Sequence, residues 1–166
     1  DAILTANAVQ HYHFVKWSDG NTTASRSVTC NGTATYAATF AIDTYVITVT
    51  SANTNMGTVT GGGTYEYNKS VTIKATPKTG YHFVKWNDGN TNASRSVTVT
   101  GNATYTATFA IDTYALTVTS ANTNMGTVTG GGTYDYNSSV TIKATPKEHY
   151  HFVKWSDEST ENPRTI

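Results

Sequence analysis

Five histidines are the first residues here that could do chemistry. His11 and His13 stand two apart, as do His149 and His151. Residues i and i+2 of a strand share a face, so each pair could offer two imidazoles to zinc or copper. The middle of the chain has His82 alone, and no third ligand follows either pair. Solvated surface histidines are therefore expected, with no bound metal and no other cofactor.

The acids are equally sparse. Asp19, Asp88 and Asp157 fall in turn-like segments, and Asp43 and Asp112 between strand-like ones. Acid–base catalysis needs paired carboxylates or a positioned histidine in a pocket, and Asp-Gly is accounted for by turn chemistry. Gly61 to Gly63 could resemble a phosphate cradle, but no helix follows. Lys74 or Lys85 could join an Asn or Asp in an intramolecular isopeptide bond, which needs a buried lysine; a strand lysine ordinarily faces solvent and blocks edge pairing. The expectation is a chain without catalytic residues, not an enzyme.

What must position these residues is a repeat. YHFVKW occurs at Tyr12 to Trp17, Tyr81 to Trp86 and Tyr150 to Trp155, a period of 69 residues without a gap. The same offset carries AIDTY from Ala41 onto Ala110, and SANTNMGTVTGGGTY from Ser51 onto Ser120. The division that follows is a partial repeat over 1–43, a complete repeat over 44–112 and a partial repeat over 113–166. The two partial repeats overlap through the middle of the unit, which predicts an excerpt from a longer tandem array rather than a subunit that swaps halves with its neighbour.

Within each unit, period-2 alternation predicts strands. Tyr45, Ile47 and Val49, then Val71, Ile73 and Ala75, then Val97 and Val99, then Tyr105, Ala107 and Phe109 make apolar faces opposite threonine-rich ones. Glycine and asparagine supply the turns. Six short strands per unit and no helical period are expected. Thr is about a fifth of the 166 residues, with eleven Tyr and three Pro, which favours strands.

Composition narrows function further. Eleven basic and eleven acidic residues leave no net charge, so no field exists to hold nucleic acid. No apolar run reaches the roughly 20 residues of a membrane helix, and DAILTANAVQ does not read as a signal peptide. The lone Cys30 allows no internal disulfide.

The YHFVKW segment holds a conflict. Strict alternation would put Phe83 and Trp86 on opposite faces, so both can be core only if a bulge intervenes. With the bulge, Phe83 and Trp86, their copies Phe14, Trp17, Phe152 and Trp155, and Tyr105 and Phe109 anchor the small cores. Without it the tryptophans are exposed at repeat spacing, and His82, Trp86, Tyr65 and Tyr67 become candidate ligand contacts.

The run of patterns resembles a known family. Y-x-[IL]-T-V-T, G-T-V-T-G-G-G-T-Y, V-T-I-K-A-T-P, G-Y-H-F-V-K-W-N-D-G and A-T-Y-T-A-T-F are similar to the divergent internalin B-repeats (divergent InlB B-repeat, the Listeria–Bacteroides type of bacterial cell-surface repeat). The resemblance spans residues 2 to 166. It implies all-β, β-grasp-like small domains without a clear helix, in tandem on secreted or cell-wall proteins of bacteria, serving as spacers or in adhesion, with no recognised catalytic residues. The chain departs from its own pattern at His11 (Gly80 in the second copy), Ala8 (Pro77) and Glu158 (Gly89), which puts the last turn's geometry in question.

Two functions of different class follow. One is a stalk or spacer at the bacterial cell surface, whose partners are its neighbouring repeats, since AIDTY is short enough to hold neighbours in a fixed relation. The other is a module binding a host or cell-wall glycan or protein through exposed aromatics. Strand edges pairing between chains, to give a homo-oligomer or fibre, are a third route. No nucleic acid and no direct membrane insertion are expected.

Overall fold

The computed structural model describes residues 1–166. Thr alternating with Val, Ile and Tyr gives no stripe for a helix to bury, and the chain forms sixteen strands and no helix. The fold is all-β. The first four strands are β1 (Ala2–Thr5), β2 (Tyr12–Trp17), β3 (Ser25–Val28) and β4 (Ala38–Ile42). Seven follow: β5 (Thr44–Ser51), β6 (Gly57–Thr60), β7 (Gly63–Glu66), β8 (Ser70–Pro77), β9 (Tyr81–Trp86), β10 (Ser94–Thr98) and β11 (Ala103–Ile111). The last five are β12 (Thr113–Leu116), β13 (Gly126–Thr129), β14 (Gly132–Asp135), β15 (Thr141–Pro146) and β16 (Arg164–Thr165). The full unit thus has seven strands where alternation suggested six. Of the three glycines expected to turn the chain, Gly61 and Gly62 lie between β6 and β7, and Gly63 opens β7.

β5 to β11 build two sheets. One is ordered β7-β5-β11-β9, with β5 and β11 parallel at its centre; the other is antiparallel, ordered β10-β8-β6. The alternation decides what lies between them. Ile47, Val71, Ile73, Ala75, Trp86, Val97, Val99, Ala107 and Phe109 form one buried cluster, with Tyr65, Phe83 and Tyr105 packed at its margin. Their partners along each strand are threonines and lysines facing water, as the burial of every second residue of β8 shows.

The bulge in YHFVKW is present, and it reconciles Phe83 with Trp86. Thr108 pairs with Lys85 and Phe109 with Phe83, so Val84 has no opposite residue. Val15 is skipped in the same way where β2 pairs with β4. The extra residue turns both aromatic rings inward. Phe83 and Trp86 lie 5.4 Å apart at 56°, the tilted arrangement favoured by aromatic quadrupoles.

The flanking groups repeat parts of this plan. β1 pairs with β3 and β2 with β4, as β8 does with β10 and β9 with β11. β12 pairs with β14, and β15 lies between β13 and β16. The third YHFVKW, Tyr150 to Trp155, forms no strand.

Candidate functional site: the joints between units

Two aspartates one period apart stand between consecutive strands. A single residue, Asp43, separates β4 from β5, and Asp112 alone separates β11 from β12. Each uses both of its backbone polar groups. Asp43 N–H donates to His11 C=O (2.8 Å), and its own C=O accepts from Tyr67 N–H (2.9 Å). Asp112 does the same with Gly80 (2.9 Å) and Tyr136 (2.7 Å). Each aspartate is thereby tied to the turn before YHFVKW behind it and to the strand end ahead of it.

The side chains repeat the arrangement. His13 Nδ1 donates to the Asp43 carboxylate at 2.8 Å, and His82 Nδ1 to that of Asp112 at 2.7 Å. A carboxylate only accepts, so the ring nitrogen facing it carries the proton. His82 remains 55% exposed, so the pair orients more than it stabilises.

The joints differ at one position. His11 has φ 67° and stacks on Tyr67, with ring centroids 3.5 Å apart and planes within 9°. It also hydrogen-bonds the Tyr45 hydroxyl at 3.1 Å. Gly80 occupies the equivalent place with φ 80°, and the Tyr136 ring lies so close that an added Cβ would meet its Cδ1 at 2.0 Å. One joint inserts an imidazole between turn and tyrosine; the other lets the tyrosine settle on bare backbone. His11 lies in the turn ahead of β2 rather than on it, so His11 and His13 are not two positions on one strand face. No group of three or more His, Cys, Asp or Glu is arranged around a common point.

A second constellation escaped the sequence reading. Asp19 binds Arg26, Asp88 binds Arg95 and Asp157 binds Arg164, each through an arginine Nη2. In all three copies the arginine hydrogen bond is the first cause holding the aspartate below the usual carboxylate range. Turn chemistry alone does not account for these acids. The signal was available: Asp and Arg recur seven apart in every copy. The turn they close is held by the tryptophan, whose indole N–H donates to the carbonyl six residues on, Thr23, Asn92 or Glu161. Glu158 takes the glycine position of that turn at φ 72° and keeps the turn's hydrogen bond to Trp155 C=O.

Of the remaining candidates, Trp17 is 6% and Trp86 0% exposed, while Phe14, Phe152 and Trp155 are half-buried. Trp86 offers no ring face to a ligand, because the bulge turns it into the core. Tyr65 and Tyr67 are half-buried; Tyr65 donates its hydroxyl hydrogen to Gly61 C=O and Tyr67 lies against His11. Lys74 and Lys85 are exposed, which removes the buried lysine that an isopeptide bond requires.

A family model described as the divergent InlB B-repeat domain matches residues 47–113 and 116–165. The match covers most of the chain, and the chain belongs to this family. Membership points to a bacterial surface repeat domain, of a family that is generally non-catalytic. Comparison with curated proteins finds no match. Comparison with solved structures finds none either.

Proposed function

We propose, from membership of the divergent InlB B-repeat family and from the joints, that this chain is a length of non-catalytic stalk. It would set the distance between a bacterial surface and whatever the parent protein presents there. The observation that carries this is the one-residue joint, hydrogen-bonded on both sides by its aspartate and built the same way twice. A linker of one residue with both polar groups hydrogen-bonded is restrained in rotation, unlike a flexible Gly/Ser linker whose span grows only as the square root of its length. Units stacked through such joints add length in proportion to their number. Near-zero net charge and threonine-covered outer faces suit a solvated rod. Burial of Trp17 and Trp86 weighs against the glycan-stacking alternative, which needs those rings at the surface.

The test is a distance distribution across both joints. Spin labels at Ser27→Cys in β3 and Lys143→Cys in β15, with Cys30→Ser, should give one narrow distance by electron–electron dipolar spectroscopy. A distribution as broad as that of a flexible linker would refute the stalk.

A further inference from the structure

In the 44–112 unit the two strands that meet the joints are neighbours at the centre of one sheet. β5 follows Asp43 directly, and β11 ends at Ile111, directly before Asp112. Ile47 to Ser51 run parallel to Ala103 to Ala107, residue against residue. Because the strands are parallel, the first residue of β5 and the last of β11 lie at opposite ends of the pair. A pull on the chain through its two joints therefore acts along both strands in opposite senses, as shear.

The ladder continues past both of its ends. Ahead of the first pair, Val46 N–H donates to Asn102 Oδ1 at 2.8 Å, and beyond the last, Ala52 N–H donates to Ala107 C=O at 2.9 Å. Thr50 and Thr106 join their hydroxyls across the outer face at 3.0 Å. Neither strand is an edge, since β7 flanks β5 and β9 flanks β11. Where β9 stops at Trp86, Asn87 goes on holding β11. Its backbone N–H donates to Thr106 C=O, its amide donates to Thr104 C=O, and its side-chain oxygen accepts from Thr106 N–H. On the inner face Ile47, Ala107 and Phe109 belong to the buried cluster. A slip of one residue would set them on the water side, so the pair cannot yield by stepping from one register to the next.

We infer that the 44–112 unit bears tension: β5 and β11 are a clamp whose hydrogen bonds, loaded through Asp43 and Asp112, must break together. The bonds of a parallel ladder are evenly spaced along the strands, so a shearing load is shared among them. The same two strands pulled apart from one end would open pair by pair, each bond meeting the force alone. This deepens the stalk reading, and it rests on that reading only for the direction of the pull, along the chain. Units of a tandem array stand in series, so each complete unit carries the whole load.

Single-molecule pulling of the 166-residue chain with Cys30→Ser tests it, at one loading rate and in two geometries. Handles at Thr44→Cys and Thr113→Cys load β5 and β11 in shear. Handles at Thr44→Cys and Gly101→Cys load the same pair from one end. The three positions accept the change: Thr44 and Thr113 are exposed, and a Cβ added at Gly101 meets nothing within 4 Å. The shear force should be severalfold the peeling force, in a single step that releases at most about 230 Å of chain. Matching denaturant midpoints would show that the two variants are folded alike, and forced unfolding is governed by the unfolding barrier rather than by that equilibrium. A shear force no higher than the peeling force overturns the clamp. That result beside a narrow spin-label distance would leave the stalk standing, whereas a broad distance with a high shear force would remove the stalk and keep the clamp.

Discussion

Tyr81 to Trp86 and Tyr150 to Trp155 are the same six residues, and only the first is a strand. The turn that follows is built alike in both, although Glu158 stands where Gly89 does. Each tryptophan donates its indole hydrogen six residues on, each ring lies tilted against its phenylalanine, and each turn is closed by an Asp–Arg pair. The difference lies across the sheet: β11 stands beside the first segment, and no strand stands beside the second. A strand is a property of a pair, because its backbone groups need a neighbour's. The aromatic turn needs no partner and survives on its own.

The sharpest way to break this comparison is to remove the two tryptophans in turn. Trp86→Ala empties a fully buried site and should cost about 3 to 5 kcal/mol, seen as an earlier denaturant midpoint for the 44–112 unit. Trp155→Ala, at a half-buried site, should cost well under half of that. Equal losses would mean that the strand partner does not set the burial.

A smaller effect comes from the side chain that β11 places at the core. Ala107 is fully buried, so Ala107→Leu overpacks it and should cost about 1 to 3 kcal/mol. Ala38→Leu makes the same change at a half-buried place whose strand pairs with β2 alone, and should cost less in the same melt.

The joints give a comparison of their own. Gly80→Ala puts a methyl where Tyr136 lies and a Cβ on a left-handed backbone, for a loss of about 1 to 2 kcal/mol. The tyrosine resonances of Tyr136 in NMR spectra should shift with it. His11→Gly instead removes the imidazole from Tyr67 and relieves the left-handed backbone, so these opposing effects should leave a smaller net change.

The smallest effects should be alike in both regions. Hydrogen bonding from Arg95 and Arg164 holds Asp88 and Asp157 below their usual range. A carboxylate depressed in the folded state adds stability above its unfolded pKa, about 3.9, and loses it as the pH falls through the lower folded value. Asp88→Asn and Asp157→Asn should each lower the melting temperature slightly at pH 7, and the gap to the parent chain should close below about pH 4. A gap that stayed constant down to pH 2 would show that the pair is not the source.

Much of the fold was legible. Alternation of Val, Ile and Tyr with Thr marked the faces that became the core, from Ile47 to Phe109, and the conflict between Phe83 and Trp86 announced the bulge at Val84. Less of the site was. His11 and His13 looked like neighbours on a strand because nothing in the spacing says that the chain turns at His11. The Asp–Arg pairs were overlooked because Asp-Gly already had an explanation, although their spacing recurs in each copy.

The sequence by itself determined the period, the strand faces and the turns, since these depend on residues within one or two strand lengths of each other and repeat with them. Only the tertiary structure decided which strands exist as strands and where the joints lock. Those depend on pairing between β5, β9 and β11, segments tens of residues apart whose hydrogen bonds are made or lost according to what stands beside them. Identical residues at 81–86 and 150–155 therefore end in different states.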